Sequence, residues 1–404
     1  MVVVDNKSKI LMLSLDNHQV KNLIGGKHVH QKLLLREWDD LGHQTLFISP
    51  QFPWILNKLL NVLFKLMYLE QVHLAKIKYK FYKNKLNKQL KKINFNEYIL
   101  ISIQDVYILD IISDSILQKI KDKAILTLHG YLALENCNYL NHVQDRLSGL
   151  FEFYSAIEKR AYTKINKIVT VDSRIKNYLI TEYKLNENNI HVIFNAVDEN
   201  NFYKPTKDEM SQLRHDLNIS ESNLIIMVAR RLVVKNGVKN ALLVMLRILQ
   251  EYSNVEFYIL GDGPEKIKLN EILDGQIQQI KERVKLIGTV DYNKINKWYK
   301  AVDILLMPST NVDGVEEATS LSMIEGMICG KVVIGSQIGG IAEVIKDCVT
   351  GLLFPDKDLN AFYLTIVNVI NNINLRENIG NKAHEYAYQY HSSRLHAIKF
   401  LELV

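Results

Sequence analysis

The chain has 404 residues, of which 48% are apolar and 23% charged, and its formal net charge is +6 at neutral pH. That length calls for two domains of roughly 200 residues each, and that balance excludes a disordered or collagen-like chain. Three scattered cysteines (Cys137, Cys329 and Cys348) form no C-x-x-C pair, which argues against a disulfide framework, structural zinc and thiol chemistry and points to a reducing cytoplasm.

The N-terminal run MVVVDNKSKILMLSL carries an acid at Asp5 and is too short in apolar length for a signal peptide or a membrane span. No apolar run of about 18 residues follows, so the sequence reads as that of a soluble protein. A strand is expected at 9–15, followed by Gly25-Gly26 and a helical run at 28–41. Paired glycines between a strand and a helix let backbone N–H groups approach an anion at the positive end of the helix. A turn without a ligand would have the same sequence.

After a strand at 45–48, residues 58–92 hold ten lysines against one acid, Glu70, with Phe64, Met67, Tyr68, Tyr79, Phe81 and Tyr82 interleaved. Such a segment suits peripheral contact with the inner face of a membrane, or an anionic partner. A solvated helical face is the plainer alternative. No nucleic-acid module surrounds it, so nucleic acid is not expected as a partner.

Strands at 98–102, 124–128, 167–171 and 191–194 complete the first half. His129-Gly130 comes directly after 124–128, where a histidine can donate to a ligand hydroxyl or simply be satisfied in the packing. A polar stretch at 198–208 containing Pro205 reads as the linker. Strands then resume at 224–228, 255–260, 284–287, 304–307 and 332–335. Strands alternating with helices imply parallel sheets, here two Rossmann-like domains whose ligands sit beyond the carboxyl ends of the strands.

Those ends carry the second half's chemistry. Arg230, Arg231 and Lys235 follow 224–228 beside Gly237, and cations fixed at a strand end suit a diphosphate, although solvated surface cations would look the same. Gly261-Asp262-Gly263-Pro264 is a tight turn after 255–260. It is not the dinucleotide fingerprint, because Lys266 stands where a third glycine is needed. Glu317 and Glu325 are eight residues apart, about 12 Å along a helix if both were helical. Carboxylates at that span suit the ribose and the sugar of one nucleotide sugar, although acids near a helix start are also commonplace.

Taken together, these pieces resemble the retaining glycosyltransferases of the GT-B fold, family 4. The resemblance is order-preserving. It rests on GGKHVHQKLLLREWDDLGH from Gly25, TLHG at 127–130, TVDSRIKNYL at 170–179, NAVD at 195–198, ARRLVVKNGV at 229–238, GDGP at 261–264, EATSLSMIEGMICGKVV at 317–333, GGIAEVI at 339–345 and TGLLFP at 350–355.

The resemblance implies an α/β chain of two facing domains: an acceptor domain at 1–197, a nucleotide-sugar domain at 198–385, and a C-terminal helix at 386–404 returning to the first. Glu325 would hold the ribose. Glu317 and His129 would face the donor sugar, and the backbone at Thr319, Ser320 and Leu321 would bind phosphate. Arg230 or Arg231, with Lys235, would neutralise the diphosphate, while Gly25, Gly26, Gly261, Asp262 and Gly263 would line its approach. Transfer with retention would need neither a metal nor a cofactor. The donor would be a UDP-sugar in preference to a GDP-sugar, and the acceptor a sugar, a lipid-linked sugar or a small molecule.

Two departures stand out. Asn236 occupies the usual lysine position, with Lys235 one residue earlier, and Gly326 replaces an alanine, which is expected to loosen helix packing. A D-x-D string at Asp356 to Asp358 falls in a loop away from any expected metal site. An epimerase or phosphorylase of the same fold, or a nucleotide-sugar-binding protein without turnover, are the competing readings.

Overall fold

A computed structural model describes residues 8–16, 26–66, 71–134, 149–312 and 316–404. The chain divides into two compact units, Met1–Phe194 with Ala397–Val404, and Asn195–His396.

The first unit is built on strands β1 (Lys9–Leu13), β2 (Gln44–Ile48), β3 (Tyr98–Ile103), β4 (Ala124–Leu128), β5 (Ile168–Thr170) and β6 (Ile190–Val192). Its helices are α1 (Gly26–Asp40), α2 (Trp54–Leu66), α3 (Gln71–Leu90), α4 (Val106–Ile111), α5 (Asp114–Ile120), α6 (Leu150–Ala161) and α7 (Ser173–Tyr183). All strand pairs are parallel, in the order β2-β1-β3-β4-β5-β6. The central strands β1, β3 and β4 are short β-branched and leucine runs buried along most of their length, as a sheet covered on both faces requires. Asp172 starts α7 by accepting the Ile175 N–H at 2.8 Å.

The second unit holds β7 (Leu224–Ala229), β8 (Val255–Leu260), β9 (Val284–Gly288), β10 (Ile304–Met307), β11 (Val332–Ser336) and β12 (Leu352–Phe354). Around them lie α8 (Lys207–Asp216), α9 (Val238–Glu251), α10 (Lys266–Asp274), α11 (Gln278–Lys281), α12 (Tyr292–Ala301), α13 (Leu321–Ile328), α14 (Gly339–Val344), α15 (Leu359–Asn371) and α16 (Ile373–His391). A last helix, α17 (Ser393–Leu401), begins in this unit. The sheet is again parallel, in the order β12-β11-β10-β7-β8-β9. That is the doubly wound order, which reverses between β7 and β10; in the first unit the reversal falls between β1 and β3. β12, three residues in the TGLLFP segment, is not among the expected strands.

The expected single helix over 386–404 is broken at Ser392, between α16 and α17. Ala397 and Phe400 are fully buried in the first unit's core with Ile10, Leu34, Trp38 and Leu100, and the Trp38 indole N–H donates to the Ala397 carbonyl at 3.2 Å. Gly326 does not loosen its helix. A methyl there would come within 2.5 Å of a Leu305 methyl carbon, so the glycine lets α13 lie close on β10.

Candidate functional site

Both topological reversals gather polar side chains beyond the carboxyl ends of the strands. In the first unit, Asp105 follows β3 and accepts the Ser14 hydroxyl and the Leu15 N–H, each at 2.8 Å, from the end of β1. Lys27, in the first turn of α1, pairs with Asp105 and, at 2.8 Å, with Asp16. Burial opposes the Lys27 charge, but the two carboxylates outweigh it and hold its pKa above the ordinary value. Gly26, exposed, is the first residue of α1, while Gly25 lies outside the described residues.

His129 follows β4 and donates from Nε2 to the Gln104 side-chain carbonyl at 2.9 Å. Gln104 is oriented in turn by its amide N–H bond to the Ser102 hydroxyl at 2.8 Å. His30 meets His129 edge-on at 4.7 Å between ring centres. Burial, helped by the Lys27 charge, pushes the His30 pKa down to about 3, so that ring is neutral.

In the second unit the centre is Glu317, in the loop before α13. Its carboxylate pairs with Arg230 at 2.9 Å and Lys235 at 3.5 Å. Burial would raise the Glu317 pKa, but Arg230 and then Lys235 outweigh it and hold the carboxyl below its usual value. One carboxylate between two cations leaves one positive charge in excess. Arg230 also donates to the Ser320 hydroxyl at 3.2 Å and to the Asn236 amide oxygen at 2.8 Å. Asn236 donates to the Arg231 carbonyl at 2.7 Å. The asparagine in the lysine position thus orients Arg230. The Arg231 side chain is exposed and makes none of these contacts.

Glycine is required where the turns cross. Gly237 has φ +63° and a Cβ there would stand 1.7 Å from the Pro308 carbonyl oxygen. At Gly261, with φ +133°, a Cβ would stand 1.9 Å from the Arg230 carbonyl oxygen. Asp262 is exposed and occupied locally, accepting the Gly263 N–H at 2.8 Å and pairing with Lys266 at 3.3 Å. Thr319 and Ser320 are buried, and Leu321 opens α13. Gly340 donates its N–H to the Glu317 carbonyl at 2.9 Å, and a Cβ there would meet the Ala318 and Thr319 backbone at 2.6 Å. Close packing of α14 therefore shapes the loop that carries Glu317.

Glu325 is helical, on α13, whereas Glu317 is not. The helical rise therefore does not set their separation. Glu325 is only 4% exposed, and burial raises its pKa to about 7 despite the Tyr299 hydroxyl beside it. Asp356 accepts the Asn311 N–H at 3.1 Å, and Asp358 caps α15, so both acids of the D-x-D string have structural partners. Among the described residues no group of three His, Cys, Asp or Glu side chains is placed to hold a metal.

Sequence reasoning noted Asn236 and Gly340 without giving them their roles, and missed Tyr299 in the second unit and Lys27, Gln104 and Asp105 in the first. Asp105 and Gln104 follow a strand, so the strand-end rule could have found them. Lys27 and Tyr299 carry no such signal, because they reach their partners from helices.

Two parallel sheets, each with its polar cluster at the reversal of strand order, are the two Rossmann-like domains of the GT-B fold. The sucrose-phosphate synthase of Thermosynechococcus elongatus superposes with TM-score 0.70 over 98% of both chains at 16% identity. The Anabaena protein HepE, solved with UDP, does so with TM-score 0.68, again over 98% of both, at 17% identity.

Residues 24–201 match the model described as Glycosyltransferase Family 4, and residues 209–386 the one described as Glycosyl transferases group 1. The chain belongs to this family, the group 1 glycosyltransferases of family 4. An uncharacterized glycosyltransferase of Methanocaldococcus jannaschii is 24% identical over 229 residues, 56% of each chain. The phosphatidylinositol N-acetylglucosaminyltransferase gpi3 subunit of Schizosaccharomyces pombe is 27% identical over 201 residues, 50% of this chain and 40% of that one. The chain spans about half the length of the curated relatives it matches.

Proposed function

We propose that this protein transfers a hexosyl or N-acetylhexosaminyl group, with retention, from a nucleotide diphosphate sugar to an acceptor hydroxyl. The observation that carries this reading is the Arg230–Glu317–Lys235 cluster, built behind glycine turns at the reversal of the second sheet. Fixed cations there stabilise the charge that develops on a departing diphosphate, which is the main task of a catalyst for this reaction. With that charge met by side chains, the transfer needs neither metal nor cofactor. Glu317 lies on the two cations and would face the sugar that the diphosphate carries. Glu325, buried behind the phosphate-facing start of α13, would take the ribose hydroxyls. In the first unit His129 would meet the transferred sugar.

A UDP-sugar is the preferred donor over a GDP-sugar. A structural neighbour solved with UDP and relatives named as N-acetylglucosaminyl-transferring enzymes support that choice. The acceptor is a sugar, a lipid-linked sugar or a small molecule, and the protein works in the cytoplasm in peripheral contact with the membrane's inner face.

Calorimetric titration with UDP, GDP, ADP, dTDP and CDP, with and without EDTA, tests the reading. UDP should bind most tightly, unchanged by EDTA, and Arg230→Ala should weaken it at least tenfold, since a charge-assisted contact contributes about 1.5–3 kcal/mol. Folded protein that binds none of the five would overturn the proposal.

A further inference from the structure

The first unit encloses a cavity of about 450 Å³ at the reversal of its sheet, within the size range of small-molecule sites. Its floor is made by Asp16, Lys27, Asp105 and His129 at the strand ends and the start of α1. One wall is α3, which turns Ala75, Lys78 and Tyr82 toward the cavity. Their spacing of three and four residues puts them on one helical face. Tyr107 of α4 and Tyr154 of α6 also line it.

The charges of this cavity are not equally engaged. Asp105 is saturated by the Ser14 hydroxyl, the Leu15 N–H and Lys27, and Lys27 in turn also holds Asp16. Lys78 is different. It is half-buried, and among the described residues no carboxylate forms an ion pair with it. Burial alone lowers its pKa, with no opposing charge to restore it. A cation withdrawn from water without a partner is costly, and here it stands at the wall of a ligand-sized cavity. Tyr82 and Tyr107 meet edge-on at 6.0 Å beside it, giving a ring-shaped ligand an apolar surface with hydroxyls at its rim.

We infer that this cavity binds an anionic acceptor, whose phosphate or carboxylate group sits against Lys78 and whose hydroxyl-bearing body lies along the Tyr82, Tyr107 and Tyr154 wall. The word acceptor rests on the glycosyltransferase reading above; the anion site at Lys78 rests on this unit's geometry alone.

Transfer assays with the full chain and the donor nucleotide identified by titration test it, using matched acceptors: glucose, glucose 6-phosphate and glucuronate, and glycerol, glycerol 3-phosphate and glycerate. The anionic members should have KM values at least tenfold below their neutral partners. Whichever of phosphate or carboxylate gives the larger gain names the group. Lys78→Met should raise the KM of the anionic members to that of the neutral ones, and Lys78→Arg should restore most of the difference. Unchanged nucleotide affinity and melting temperature in Lys78→Met would show that the fold is intact. Neutral acceptors used as well as anionic ones, or a preference that survives Lys78→Met, would overturn the inference while leaving the function standing. Loss of nucleotide binding in the wild-type chain would instead remove the glycosyltransferase reading.

Discussion

At the scale of single residues, the two glutamates of the E-x7-E pair are set apart by their surroundings. Glu317 lies under Arg230 and Lys235 and is held in its charged form. Glu325 lies in the interior of α13, with burial raising its pKa to about 7 from its ordinary value of about 4.5. In the unfolded chain Glu325 ionises near its ordinary value, while in the fold it keeps its proton to about pH 7. Between those values the folded state binds more protons, so stability falls as pH rises, and the loss is complete above pH 7. At about 1.4 kcal/mol per unit the loss is at most about 3.5 kcal/mol. Glu325→Gln removes the titration. Chemical denaturation at pH 5 and pH 8 should therefore show a smaller drop in the variant than in wild type, and parallel drops would sink the argument. The sequence displayed both glutamates and the cations, because charged residues after β-branched runs are conspicuous. It did not display which cation meets which acid. That depends on Asn236 holding Arg230 and on Gly340 closing against the loop, and both are contacts across elements.

At the scale of elements, the lysine-rich stretch separates into two helices with different tasks. The aromatic residues of α3 turn inward: Tyr79 hydrogen-bonds Asp110 at 2.8 Å and packs on Tyr107 and Phe153. On α2, Trp54 is 72% and Ile55 68% exposed, and Leu56, Leu59, Val62 and Leu63 stand in solvent beside them. Lys58 lies 5.4 Å over the Trp54 ring at the edge of this face. Thirteen residues rise about 20 Å, too little to cross a bilayer core of about 30 Å, and no helix among the described residues is long and apolar enough to do so. An exposed apolar stripe bordered by lysine is the pattern of a helix lying in an anionic membrane surface, and we propose that α2 makes the peripheral contact. The wild-type chain should float with vesicles containing anionic phospholipid and much less with neutral ones, and Leu59→Glu with Val62→Glu should abolish flotation. Equal behaviour of wild type and double variant would refute it. Composition announced the lysines here, but periodicity could not say that α3 faces inward and α2 outward, because both helices are apolar on more than one side.

At the scale of the whole chain, what the sequence could convey was the alternation of strands and helices, since buried parallel strands are written as short β-branched runs. What it could not convey was where strand order reverses, because that is decided by pairing between distant segments such as β1 with β3 and β7 with β10. The placement of the last residues depends on distance in the same way. Ala397 and Phe400 carry no strand or motif signal, yet they fill the first unit's core more than 300 residues from Trp38, whose indole N–H the Ala397 carbonyl accepts. Phe400 is fully buried, with its ring 6.3 Å from Trp38 and 5.9 Å from His30. Phe400→Ala leaves a cavity among rigid strands and should cost about 3–5 kcal/mol, a loss placed in the first unit because its contacts are there. Amide hydrogen exchange should therefore rise in β1, α1 and β3 while β7 and β10 keep their protection, and UDP should still bind. Uniform protection in both units would mean that the chain's end adds nothing to the first unit's core, and exchange rising equally in both would mean that the two units unfold as one.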